Sequence, residues 1–213
     1  MDLVTLRKAF ALIATYTTLI PIFAGLYNFR FLDKNFRLLL YYMILSFTID
    51  QVSLFYFFSQ ANNMAYINVF VLIEPLVLMY VLYQWELKTQ ARKNDVCWLM
   101  AAIIIFWIYE AFFETDANGM KGIFMPMKIF STVNGAVIAI FSSIRLLRVV
   151  GSSVDLLRNP KFWAITGIFM YSTCSLIVIS TNFLVPKSAW ILFNITNIIY
   201  YLISTKAFLV CRK

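Results

Sequence analysis

Glu74 stands in the middle of an apolar stretch, Tyr66 to Trp85, and is followed at once by Pro75. A second acid, Asp50, lies inside the preceding apolar stretch, Phe36 to Phe58, with Gln51 beside it. A carboxylate at bilayer depth costs about 2.5–3.5 kcal/mol on insertion scales, which makes an intramembrane acid a functional-site candidate by default. Two carboxyls brought close together would share a proton. The Pro75 ring removes one backbone donor and clashes with the carbonyl of Val71, so a kink is expected there. A kink beside an acid leaves an unpaired carbonyl near a carboxyl, a usual way of building a polar site in a membrane. The bland alternative is a packing kink with a protonated Glu74 bonded to a neighbouring helix.

Further polar residues mark a second wall. Trp190, Asn194, Asn197, Tyr201 and Ser204 follow i, i+4, i+7, i+11, i+14 spacing, one face of a helix. Amides on one face are not expected to point at lipid, so the stripe is read as facing a bundle interior, as ligand contacts or as interhelical glue. Lys128 is a candidate counter-ion or anion ligand, with Ser131, Asn134 and Gly135 following it. Lys128 and Glu110 both lie near expected helix ends, where snorkelling to the interface is the alternative. Lys206 invites comparison with a Schiff-base lysine, but it sits close to the end of its run and reads as a flanking anchor.

These residues need elements to position them, and the composition says which. Of 213 residues, 62% are apolar and only 13% charged, and the mean hydropathy is +0.80. Such a chain reads as an all-α, polytopic membrane bundle without a separate soluble domain. Runs long enough to cross about 30 Å of hydrocarbon need roughly 20 residues each. Seven are expected, at 9–27, 36–58, 65–85, 96–113, 125–149, 162–185 and 189–210, with six and eight as the alternative counts. Lys128, Ser131 and Asn134 interrupt the fifth.

Orientation follows from the loops. Arg30, Lys34, Arg37, Lys88, Arg92, Lys93, Arg145, Arg148, Arg158 and Lys161 fall on one side, with Lys206, Arg212 and Lys213 at the C-terminal end. The other side has only Arg7, Lys8, Lys121, Lys128 and Lys187. The positive-inside rule then places the N-terminus outside and the C-terminus in the cytoplasm of a cell membrane. Arg7 and Lys8 dissent, and would suit a signal-peptide n-region, but no small-residue cleavage site follows them. On this orientation Asp50 lies about 12 Å below the outer end of its run, and Glu74 lies at a similar depth on an antiparallel neighbour.

Several chemistries are excluded. The basic residues behind the net charge of +8 cluster between and at the ends of apolar runs, as beside anionic lipid, so nucleic acid is not the expected partner. The chain has no His, which removes His-ligated haem, His-based zinc sites and Ser-His hydrolysis. Cys97, Cys174 and Cys211 suggest no disulfide pairing. No metal or cofactor is expected.

The Asn62-Asn63 turn followed by Tyr66-Ile67-Asn68-Val69-Phe70 and Ile73-Glu74 resembles a pattern in small seven-helix membrane proteins of Bacteroidetes-type bacteria. The Asn197 to Tyr200 run is similar as well. The resemblance covers the second, third and seventh runs. It implies a bacterial inner-membrane location and the seven-helix architecture, and it points to Glu74 without supplying an activity. The group often has His or a similar residue where this chain has Asn68.

The expected function is a ligand-binding or sensory module. An outward polar pocket around Asp50, Glu74, Asn194 and Asn197 would hold a small molecule. Occupancy would be relayed to a protein partner at the basic cytoplasmic loops, chiefly Arg145 to Lys161. The alternatives are a proton-coupled transporter or channel, an intramembrane enzyme acting on lipid through paired carboxyls, and an accessory subunit of a larger complex.

Overall fold

The computed structural model describes residues 3–59, 64–85, 90–115, 121–124, 127–153, 155–181 and 186–212. Among them are eight α-helices: α1 (Leu3–Thr17), α2 (Leu19–Tyr27), α3 (Lys34–Ser59), α4 (Met64–Gln84), α5 (Gln90–Phe112), α6 (Lys128–Ser152), α7 (Pro160–Thr181) and α8 (Pro186–Val210). Seven stretches are long and apolar enough to cross a membrane, α1 and α2 together supplying the first. Each overlaps one of the expected runs. The expected first run is broken at Thr18, because Pro21 has no N–H for the carbonyl of Thr17 and its ring crowds it. The polar residues that interrupt the fifth run do not break its helix: α6 is continuous from Lys128 past Ser131 and Asn134. Residues 125–126 and 182–185 of the fifth and sixth runs lie outside the described residues.

Local chemistry sets the helix starts. Asp33 caps α3, its Oδ1 accepting the N–H groups of Asn35 and Phe36 at 2.8 and 2.9 Å. Asn159 does the same for α7, accepting from Lys161 N–H at 3.0 Å, with Pro160 at the first helical position where no donor is missed. The α6 start has no such residue of its own. Its Phe130 N–H donates instead to Glu110 Oε2 on α5, at 2.7 Å.

The helices form a circuit. α3 packs on α4, α4 on α6, α6 on α7, α7 on α8, α8 on α1 and α2, and α2 on α3. α5 lies outside this circuit against α4 and α6. At the end carrying the basic loops the interior is filled with fully buried apolar side chains, among them Leu40 and Met43, Leu78 and Leu82, Ile168 and Phe208. The outside is apolar too, with Trp98 76%, Leu147 73% and Phe55 71% exposed. So large an apolar surface calls for a lipid environment.

Between α5 and α6, Gly122 and Ile123 are tied to α4. Asn68 Nδ2 on α4 donates to the carbonyls of Ile123 at 2.8 Å and Gly122 at 3.4 Å, and Trp107 Nε1 donates to the Asn68 carbonyl at 2.9 Å. A Cβ on Gly122 would collide with the Glu110 carbonyl, whereas one on Gly151 would meet nothing within 4 Å. Gly122→Ala should therefore lower stability in mixed micelles by about 1–3 kcal/mol, and Gly151→Ala should not. Equal unfolding midpoints for the two variants would contradict this packing.

Candidate functional site

Glu74 lies on the interior side of α4, at the mid-depth of the circuit. Its Oε1 accepts from the Tyr42 hydroxyl of α3 at 2.7 Å, and Tyr171 of α7 reaches the same carboxyl. The Tyr42 ring stacks on Phe70, with 5.9 Å between centroids, which holds its hydroxyl toward α4. Tyr171 packs on Tyr200 at 5.0 Å and Tyr200 on Tyr201 at 5.4 Å, so the aromatic series continues onto α8. Three helices thus converge on one carboxyl.

Beside Glu74 opens a cleft of about 300 Å³ between α4, α6 and α7, with Phe193 of α8 at its edge. Val71 and Pro75 line it next to Glu74. α4 stays helical through Pro75, and Val71 is the residue whose carbonyl loses its bond to the proline. The α6 wall is Ser131, Asn134, Gly135 and Ile138; the α7 wall is Tyr171, Ser172, Ser175 and Val178. Asn134 and Ser175 are only 5% and 8% exposed, and neither Asn134 Nδ2 nor Ser175 Oγ has a hydrogen-bond partner. Ile67, Ser131, Val178 and Phe193 place the cleft in the half of the bundle away from the basic loops. In the other half lies the apolar core.

The residues singled out in the sequence do not all meet here. Glu74, Pro75 and Asn134 line the cleft; Asp50, Gln51, Asn194, Asn197 and Tyr201 do not. Asp50 on α3 is close enough to act electrostatically on Glu74 and Tyr201, but no hydrogen bond joins the two carboxyls. Glu74 is instead served by tyrosine hydroxyls. Gln51 Nε2 is buried without a partner. Tyr201 faces the junction of α2 and α3, within hydrogen-bonding reach of Thr18 and Ser46. Asn194 is buried and Asn197 half-buried. The side chains of Trp190 and Lys128 lie outside the described residues. Glu110 differs from the snorkelling expectation: it is 4% exposed, because it caps α6 from the neighbouring helix. Asn68 holds the α5–α6 connection.

Sequence reasoning missed Tyr42, Tyr171, Ser172 and Ser175. A signal for the last three exists: Tyr171-Ser172-Thr173-Cys174-Ser175 is a polar interruption at the middle of an apolar run, with 171, 172 and 175 on one helical face.

The chemistry this arrangement offers is recognition. Ser131 and Ser172 donate to the carbonyls of Met127 at 2.6 Å and Ile168 at 2.7 Å, four residues back, and no base activates either. Among the described residues no three His, Cys, Asp or Glu side chains converge on a metal position. Burial, and then the Asp33 charge, push the Cys211 thiol up to about 12, which leaves it protonated and a poor nucleophile at neutral pH.

The Tyr42–Glu74 bond is open to a double-mutant cycle in an unfolding assay. Tyr42→Phe and Glu74→Gln should each destabilise the bundle, with a coupling of about 0.5–2 kcal/mol. Additive losses would mean that the two side chains do not support each other.

Comparison with protein-family models, curated proteins and solved structures gives no match, so the functional reading rests on the chemistry of the cleft itself.

Proposed function

We propose that this chain is a membrane-embedded binding module that takes a small, mainly apolar molecule with a hydrogen-bond-accepting group into the cleft beside Glu74. The observation that carries the reading is the pair of unpartnered polar groups, Asn134 Nδ2 and Ser175 Oγ, in the wall of an otherwise largely apolar cleft. A buried donor without an acceptor costs about 1–3 kcal/mol, a cost a bound carbonyl or hydroxyl offsets. The cleft volume of about 300 Å³ stands at the lower end for small-molecule pockets. Ile67, Val71, Ile138 and Val178 would hold the ligand's body.

The apolar core argues for binding over conduction. Wetting even five of its side chains would cost on the order of 10 kcal/mol. On the positive-inside reading the cleft opens outward and the core seals the cytoplasmic half. Occupancy would then be passed to a protein partner at the basic end. Of the stretch Arg145 to Lys161, Arg148 and Arg158 are exposed for such a contact, whereas Arg145 is 7% exposed and is not.

One observation favours a proton-coupled carrier as the second reading. The Tyr200 and Ser204 hydroxyls, both buried and within hydrogen-bonding reach of each other, extend the polar track from Tyr171 toward the basic end. Ligand-dependent flux in proteoliposomes, abolished by Glu74→Gln, would establish that reading instead.

The test of the binding reading compares gently solubilised wild-type protein with Asn134→Leu by native mass spectrometry and thermal unfolding. The wild type should carry a small-molecule adduct that the variant lacks, while the empty variant should unfold at an equal or higher temperature. An adduct-free wild type, together with a less stable variant, would make Asn134 a structural residue and remove the proposal.

A further inference from the structure

A second concavity lies at the opposite end of the bundle. It has a volume of about 590 Å³ and is lined by Leu32, Asp33, Lys34, Arg37, Tyr41 and Tyr80, with Asn35 and Leu38 between them. Charge and apolar surface are separated along it. Asp33, Lys34 and Arg37 occupy the entry to α3, all three exposed. Tyr41 follows seven residues after Lys34, about 10 Å further along the helix, and Tyr80 faces it from one turn inside the end of α4. At this end of a membrane helix the entry lies at headgroup level and the tyrosines at the start of the acyl region.

The three charges are arranged for a ligand carrying both signs. Lys34 and Arg37 are three residues apart, on one side of the helix. Among the described residues neither makes an ion pair with Asp33. The Arg37 guanidinium lies over the Phe29 ring, 4.9 Å from its centroid, and Phe29 in turn touches Tyr41. Both capping bonds of Asp33 use Oδ1, which leaves Oδ2 for an external donor.

We propose that this groove holds one phospholipid with a primary-amine headgroup. Its phosphate meets Lys34 and Arg37, its ammonium donates to Asp33, and its acyl chain runs along Leu38, Tyr41 and Tyr80. A purely anionic headgroup would gain the two cations but meet Asp33 as a like charge. A trimethylammonium headgroup would match the charges but has no N–H to donate. The primary amine satisfies all three side chains at once.

The test offers the full-length protein in detergent an equimolar mixture of phosphatidylethanolamine, phosphatidylcholine and phosphatidylglycerol with identical acyl chains. Retained lipid is read by native mass spectrometry. The wild type should keep phosphatidylethanolamine over each of the others by roughly two- to fivefold, the scale of exposed ion pairs. Asp33→Asn preserves the helix cap, since Asn caps as well as Asp, and should abolish the preference over phosphatidylcholine. Arg37→Gln should lower retention of all three lipids, and Arg158→Gln at the same end should change nothing. Equal retention of phosphatidylethanolamine and phosphatidylcholine by the wild type would overturn the proposal. So would a preference that survives in Asp33→Asn, or phosphatidylglycerol exceeding phosphatidylethanolamine.

Discussion

The constraint on which the bundle depends is the Glu74 carboxyl, half-buried in the middle of an apolar helix. Glu74 cannot face lipid without a cost of several kcal/mol, so α4 must turn that side chain inward. Once inward, its oxygens need donors, and Tyr42 of α3 and Tyr171 of α7 supply them. Because α4 does not itself pack broadly on α7, these hydroxyls span a gap that apolar contact leaves open. The cleft is that gap. The acid and the cavity beside it are therefore one feature, since a carboxyl held by two hydroxyls keeps the helices near each other without closing them.

The two halves of the interior are built on different principles. Toward the basic loops, Leu40, Leu78, Ile168 and Phe208 interlock with no exposure at all. Toward the other end, small and polar residues of α6 and α7, such as Ser131, Gly135 and Ser175, replace them. A methyl on Gly135 would meet Leu176 and Ser172 only at ordinary contact distance, so it is not close approach that sets this wall apart. Small side chains here leave volume. A bundle that needed only to hold together would be filled in both halves, and the asymmetry of filling is the physical basis for separating a sealed end from a receptive one.

Much of the architecture was legible because span length and apolar runs are read from residue type alone. The ends of α3 and α7 were also within reach, as Asp33 and Asn159-Pro160 carry their own capping chemistry. Glu74 and Pro75 stood out for a similar reason: an acid and a proline in an apolar run are exceptional wherever they point. What could not be read was which surfaces meet. The α8 stripe has helical spacing, yet Tyr201 turns toward α2 and α3, and among the described side chains of that helix only Phe193 reaches the cleft. Asp50 and Glu74 share a depth, but their directions around α3 and α4 are fixed by packing with the rest of the circuit. Tyr42 escaped attention because a tyrosine in an apolar run is unremarkable until a carboxyl lies 2.7 Å from its hydroxyl.

Glu110 shows the same limit from the other side. Near the end of α5 an acid reads as a group that reaches water, and nothing in its own helix says otherwise. Its partner is the Phe130 N–H, at the start of a helix that lacks a capping side chain of its own. With Asn68 tying Gly122 and Ile123 to α4, and Trp107 tying α5 to α4, this bond places the first turn of α6 relative to both α4 and α5. Ser131 and Asn134 follow directly from that turn. The wall of the cleft is thus set by a clamp outside the circuit, which gives α5 a role although it contributes no lining residue. A helix that touches neither the acid nor the cavity still decides where the cavity's amide stands.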